Sequence, residues 1–131
     1  MATLDKTQQQ SLERKLRLRQ TALRDEIRAA LAASSEERHR ELAGMVHDAA
    51  DDSVADLLTD VNLKGMDRDA RELAAVTAAL TRLARGTYGV CIDCGGDVGY
   101  QRLEAQPSAA RCIECETRRE RQYSHERGPT L

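Results

Sequence analysis

The chain has no tryptophan and no phenylalanine, and three tyrosines are its whole aromatic content. Large flat side chains dominate compact enzyme cores and the stacking platforms of single-strand nucleic-acid binders, so neither architecture is expected. Proline occurs twice, at Pro107 and Pro129, which leaves everything before Pro107 free of the residue that most reliably ends a helix. No apolar run is long enough to span a membrane. The opening segment, from Met1 to Gln10, is polar and lacks the apolar middle of a secretory signal. A cytoplasmic location is therefore expected, where four cysteines serve as metal ligands or redox thiols more often than as disulfides.

Charge and small helix formers take the place of the aromatics. Charged residues are 32% of the chain, and the 40% hydrophobic share leans on Ala and Leu. This is the composition of an elongated helical protein. The net charge of −2 is unevenly spread. Residues 1–40 carry nine basic and six acidic side chains, residues 41–69 carry two and eight, and residues 70–131 carry nine and eight. An acidic block thus lies between near-neutral arms, and no basic surface that would track a phosphate backbone is present. Direct DNA binding is not expected.

Large apolar residues at Leu12, Leu16, Leu23, Ile27 and Leu31 form one helical stripe, with Thr3 or Asp5 able to cap its start. The stripe lapses over Ser34–Glu41 and resumes at Leu42 and Met45-Val46. Ser34 and Glu37 have capping-box spacing, which leaves a kink or a restart open there. A second stripe runs through Val54, Leu57/Leu58, Val61, Met66, Ala70, Leu73, Val76, Leu80 and Leu83, weakened by Gly65 and closed by Gly86. With a turn near residue 50, Ile27 faces Leu73, Leu31 faces Ala70, Leu16 faces Leu83/Ala84, and Leu42 faces Leu58. Both stripes agree on this register. The expected fold is mainly α: an antiparallel helical hairpin (coiled coil) over 5–85 with its tip near 48–53, then a small lobe over 86–127. A solvated hairpin without partner, or a dimeric coiled coil, are the plain alternatives.

The lobe is defined by Cys91-x-x-Cys94 and, after 17 intervening residues, Cys112-x-x-Cys115. Two residues between thiolates let one tight knuckle present both sulfurs to one ion, and Gly95-Gly96 supplies the backbone freedom its exit requires. Four sulfur ligands fill a tetrahedral site, so one structural zinc ion is expected, without an open position for catalysis. With so few apolar residues, metal binding must supply much of the lobe's folding free energy. A thiol switch is the competing reading. Val98–Leu103 suggests a short hairpin strand, Pro107-Ser108 a reversal, and Ile113–Arg127 a charged terminal helix. His39, His47 and His125 share no metal-binding spacing and are expected on the surface.

Asp48, Asp51, Asp52, Asp56 and Asp60 lie close together without a basic neighbour in sequence. Part of this is plain helix chemistry, since Asp51 or Asp52 suits an N-cap and acids suit a first turn. A carboxylate cluster on a protruding tip also suits a hard cation or a basic pocket in a partner.

The helical hairpin followed by Tyr88-Gly-x-Cys91-x-x-Cys94-Gly and Arg102-Leu-Glu-Ala-x-Pro107-x-Ala-x-x-Cys112-Ile-x-Cys115 resembles the DksA/TraR-type C4 zinc-finger proteins of bacteria, over about residues 10–125. The resemblance implies a non-enzymatic transcription regulator, acting as a monomer, that binds RNA polymerase through its secondary channel. There an Asp-x-x-Asp-x-Ala coil tip would modulate initiation, commonly with ppGpp. It places the tip aspartates at Asp48, 43 residues before Cys91, and at Asp51. Ser53 stands where the family has Ala. A mid-coil arginine that contacts the polymerase corresponds to Arg68. Where ppGpp-binding members carry basic residues, this chain has Ala75, Gln106 and Glu116, so weak or absent ppGpp binding is expected. Other readings are a zinc-dependent interaction adaptor, a transcript-cleavage-stimulating factor offering tip acids to a second Mg²⁺, and a redox sensor.

Overall fold

The computed structural model describes residues 4–59 and 65–127. Six α-helices follow in order: α1 (Lys6–Ala32), α2 (Glu37–Asp48), α3 (Val54–Leu58), α4 (Asp67–Arg85), α5 (Tyr100–Ala105) and α6 (Ile113–Arg127), with a 3-10 turn (Asp51–Ser53) ahead of α3. Among the described residues the only β pairing is a single antiparallel bridge between Val90 and Asp97. The expected fold class, a mainly helical antiparallel hairpin carrying a four-cysteine lobe and a terminal helix, is the one observed.

The start of α1 is held by a capping box. Asp5 Oδ1 accepts from the Gln8 amide at 2.7 Å, and Gln8 Oε1 accepts from the Asp5 amide at 3.1 Å. Two otherwise orphaned amide donors are thereby satisfied. Of the two expected caps, Asp5 fills the role, and Thr3 lies outside the described residues.

The buried stripe of α1 is Leu12, Leu16, Gln20, Leu23, Ile27 and Leu31. That of α4 is Leu73, Val76, Ala79 and Leu80. These two helices are the arms of the hairpin. Arg19 donates to both carboxylate oxygens of Glu72 at 2.5 and 2.7 Å, and Gln20 Nε2 reaches Thr77 Oγ1 at 3.4 Å. The Gln20–Thr77 contact lies within one helical turn of the register read from the two stripes, whereas the Arg19–Glu72 pair lies nine residues from it. Leu23, Ile27, Leu31 and Leu73 lose all their solvent exposure. Each contributes about 1.5–3 kcal/mol of transfer free energy to the arms' union. Gly86 ends α4 at φ 78°, where its amide bonds the carbonyls of Arg82 and Leu83. A side chain is strained in that left-handed region.

The distal half departs from a single turn near residue 50. The first helix stops at Ala32 and restarts at Glu37, because Glu36 takes an extended backbone (φ −82°, ψ 124°). Ser34 Oγ accepts from the Glu36 amide at 3.1 Å and lies 3.1 Å from His39 Nδ1. The expected Ser34–Glu37 capping box is therefore replaced by a tighter Ser34 turn. The chain reverses here, and α2 returns alongside α1 with Leu42, Ala43 and Val46 buried against it. Ala49 and Ala50 are extended again (ψ 151° and 147°), the chain turns a second time, and α3 packs on the first turns of α4. Gly65, ahead of α4, has φ 87°. Val61 of the second stripe and Asp60 of the acidic run lie outside the described residues. The arms are thus α1 and α4, and α2, the 51–53 turn and α3 form a segment folded back along them.

Candidate metal centre and acidic segment

Two knuckles build the metal centre. In the first, the Cys91 amide donates to Gly96 O at 2.7 Å and the Gly95 amide to Cys91 O at 3.0 Å. Gly95 sits at φ 76°, so a residue with a Cβ would be strained at that turn. The Gly96 amide points at Cys94 Sγ from 3.4 Å. The second knuckle enters α6, placing Cys112 just before its first turn and Cys115 within it. The Ile92 amide donates to Ala110 O at 3.0 Å and ties the two knuckles together. Arg111, whose Nε lies 2.8 Å from Asp93, pins the same junction with side chains.

The four Sγ atoms lie within 4.8 Å of one another, and Cys94 and Cys112 are 3.9 Å apart. Four sulfurs each about 2.3 Å from one zinc ion would stand about 3.8 Å apart. The cluster therefore has the size of a tetrahedral zinc site. Its acid–base chemistry agrees. Burial raises the Cys91 thiol, but amide donors from Cys94, Cys112 and Asp93 outweigh it and bring the group down to about 6. Cys115 goes the other way, pushed up to about 12 by its hydrogen bond to Cys112, then by burial and the other two sulfurs. Four crowded sulfurs resist shedding all their protons unless a cation shares their charge.

The lobe is seated on the arms by a small core. Tyr88 is buried and its hydroxyl donates to Pro107 O at 2.8 Å. Burial pushes its phenol up to about 12, with the Arg82 guanidinium opposing. Leu103 is fully buried on α5, which packs against α1. The expected strand over Val98–Leu103 is thus a helix after a single bridge. Gly99 at φ 98° turns the chain so that Leu103 drops into the core, which a one-sided strand here would not achieve. The reversal at Pro107-Ser108 and the terminal helix stand as expected.

The acidic residues are placed differently from the cysteines. Asp48 is exposed at the end of α2, and Ser53 is exposed. Asp51 is ion-paired with Arg24 Nη1, beside α1 and not at its end. Arg24 lies eight residues before Ala32, so this pair sits about 12 Å short of the helix terminus. The expectation that Asp48 and Asp51 occupy the outermost point of the rod is corrected here. Ser34 and Glu36 hold the earlier reversal, so 33–36 takes that end. Arg68 is exposed at the start of α4, one turn before Glu72, whose carboxyl is lowered chiefly by its hydrogen bond to Arg19.

His47 is exposed as expected, but His39 is buried between Ser34 and Glu36, 3.2 Å from the Glu36 carboxylate. The side chain of His125 lies outside the described residues. Sequence reasoning also missed Gln20, a polar residue buried in the α1 stripe. Its signal was the seven-residue gap between Leu16 and Leu23.

A lobe whose four sulfurs converge on one point, seated on two antiparallel helical arms, has the geometry of a C4-type zinc finger. Residues 86–121 match the family model of the prokaryotic DksA/TraR C4-type zinc finger. The chain carries that finger, and its four cysteines are positioned to hold one zinc ion. It is 34% identical over 70 residues to the RNA polymerase-binding transcription factor DksA of Haemophilus influenzae, covering 53% of this chain and 48% of that protein. It is 41% identical over 63 residues to general stress protein 16O of Bacillus subtilis, covering 48% and 37%. The chain spans about half the length or less of these curated relatives. The solved structure of transcription factor DksA2 from Pseudomonas aeruginosa matches with a TM-score of 0.59 at 26% identity, covering 91% of this chain and 88% of that one. The resemblance read from the motifs therefore holds for both finger and fold.

Proposed function

We propose that this chain is a non-enzymatic transcription regulator that binds RNA polymerase and modulates initiation. The observation that carries the reading is the closed four-sulfur site fused to a DksA-like pair of helical arms. Such a site holds zinc for structure, and its four sulfurs leave no ligand position for a substrate. Relatives named RNA polymerase-binding transcription factor DksA are 34% and 28% identical to this chain over 70 and 95 residues.

In this reading the helical arms enter the polymerase secondary channel as a monomer in the cytoplasm. Asp48 and Asp51, with Ser53 beside them, act on the active-site region by charge, and Arg68 contacts the polymerase rim. The ppGpp response is weak or absent. A cavity of about 330 Å³ between the arms and the lobe supports this last point. It is bordered by Gln106, and its two cations are Lys15 and Arg19, the latter already bonded to Glu72. A polyphosphate needs more uncompensated positive charge than that.

The test is purified protein added to core polymerase. Binding is expected, with Asp48→Asn plus Asp51→Asn leaving binding near normal and removing the effect on promoter complexes. Absence of binding rejects the reading, and a fully active double variant rejects the acidic assignment. Micromolar ppGpp affinity of the complex rejects alarmone independence.

A further inference from the structure

The four sulfurs are unequally sheltered, and the difference gives the metal site two edges. Cys91 and Cys115, one from each knuckle, are buried, whereas Cys94 is exposed and Cys112 is half-buried. The accessible two are 3.9 Å apart and also come one from each knuckle. A competing ligand from solution reaches this edge first, and its way in opens when the knuckles part.

The residues immediately before the two accessible cysteines are Asp93 and Arg111. Arg111 Nε lies 2.8 Å from Asp93 Oδ2, so an ion pair joins the two knuckles. The backbone of Arg111 is fixed in turn, since Arg102 Nε donates to its carbonyl at 2.9 Å. The Glu116 carboxylate stands 4.0 Å from Arg111 Nη1 and further restrains the guanidinium.

We propose that the Asp93–Arg111 pair is a strap across the accessible edge of the zinc site, and that it sets how fast the metal is lost to a competing ligand. Both are positioning residues, because the four sulfurs already fill a tetrahedral shell. They act by keeping Cys94 and Cys112 at ligand separation, as outer partners of metal ligands do. This concerns the finger alone and is independent of the polymerase reading.

A strap and a simple electrostatic field make opposite predictions. Four thiolates around one zinc ion carry net negative charge. Through the field alone, removing the Asp93 charge would tighten the site and removing the Arg111 charge would loosen it. A strap is undone equally from either end.

The test is the rate at which the zinc-loaded chain yields its metal to a chromogenic chelator. Asp93→Asn and Arg111→Gln are each expected to speed release about threefold, and the double variant to be no faster than either. Arg111→Lys keeps the charge and is expected to recover part of the original rate. Added salt is expected to speed release from the unaltered chain more than from the variants. Glu114→Gln, exposed on the second knuckle outside the pair, is expected to release at the unaltered rate. Cobalt in place of zinc reports the four-sulfur geometry through its absorption bands, which are expected to be the same in every variant. Opposite signs for Asp93→Asn and Arg111→Gln, additive effects in the double variant, or unchanged rates overturn the strap. Altered cobalt bands overturn it too, since the pair would then shape the ligand shell itself.

Discussion

The lobe and the distal half of the helical bundle solve the same problem by opposite means. Around the metal, position is dictated by a few strong, local and directional demands: four sulfurs within 4.8 Å, glycines at positive φ, and amides aimed at sulfur. In the distal bundle, position follows from many weak and interchangeable contacts. Leu42, Val46, Val54 and Leu58 are all buried, but an apolar face accepts almost any other apolar face. The lobe therefore has one way to fold once metal is bound, whereas the bundle is specified chiefly by where its helices stop.

The sharpest way to break this comparison is to remove the metal. Chelation, or Cys115→Ser, is expected to unfold residues 86–112 while α1 and α4 keep their helical signal, as seen by amide exchange. Structural zinc contributes about 10–16 kcal/mol in small finger domains, more than any single contact elsewhere in this chain. A lobe that keeps its protection without zinc would erase the distinction. Next in size, Leu73→Ala in the fully buried seam is expected to cost about 2–5 kcal/mol in urea unfolding without loss of zinc.

A pH experiment tests the lobe's seat on the arms. The Tyr88 phenol ionises near 10.0 when unfolded and at about 12 when folded. Between these values the folded chain holds a proton that the unfolded chain has released, so stability falls as pH rises. The contribution is complete below pH 10 and lost by about 12, and Tyr88→Phe is expected to flatten that slope in thermal unfolding. Smaller again, Asp5→Ala removes the capping box and is expected to cost about 1 kcal/mol by thermal unfolding. Arg19→Ala, at a pair with 45% and 36% side-chain exposure, is expected to cost less than about 1 kcal/mol and to be weakened by salt.

Much of this was legible in the residue order. The spacing of Cys91, Cys94, Cys112 and Cys115 announced a closed tetrahedral site, and the two apolar stripes announced which faces of α1 and α4 would meet. Asp5 and Gly86 marked helix ends through local hydrogen bonding and backbone freedom, which depend on few neighbours. Leu103 was less readable: a stretch of six residues is too short for its spacing to separate a strand from a helix, and the buried site below decided. His39 read as a surface residue because nothing local shows that the chain reverses over it.

What the order of residues determined by itself is the chemistry and the periodicity: four thiols at ligand spacing, a helix-forming composition, and a seam with a register. Tertiary structure alone decided where the rod ends. Ser34 and Ser35 shift the local helix balance by about half a kcal/mol each, an amount that packing of α2 on α1 readily exceeds. For the same reason Asp51 lies beside Arg24, a partner 27 residues away that no local pattern could have named.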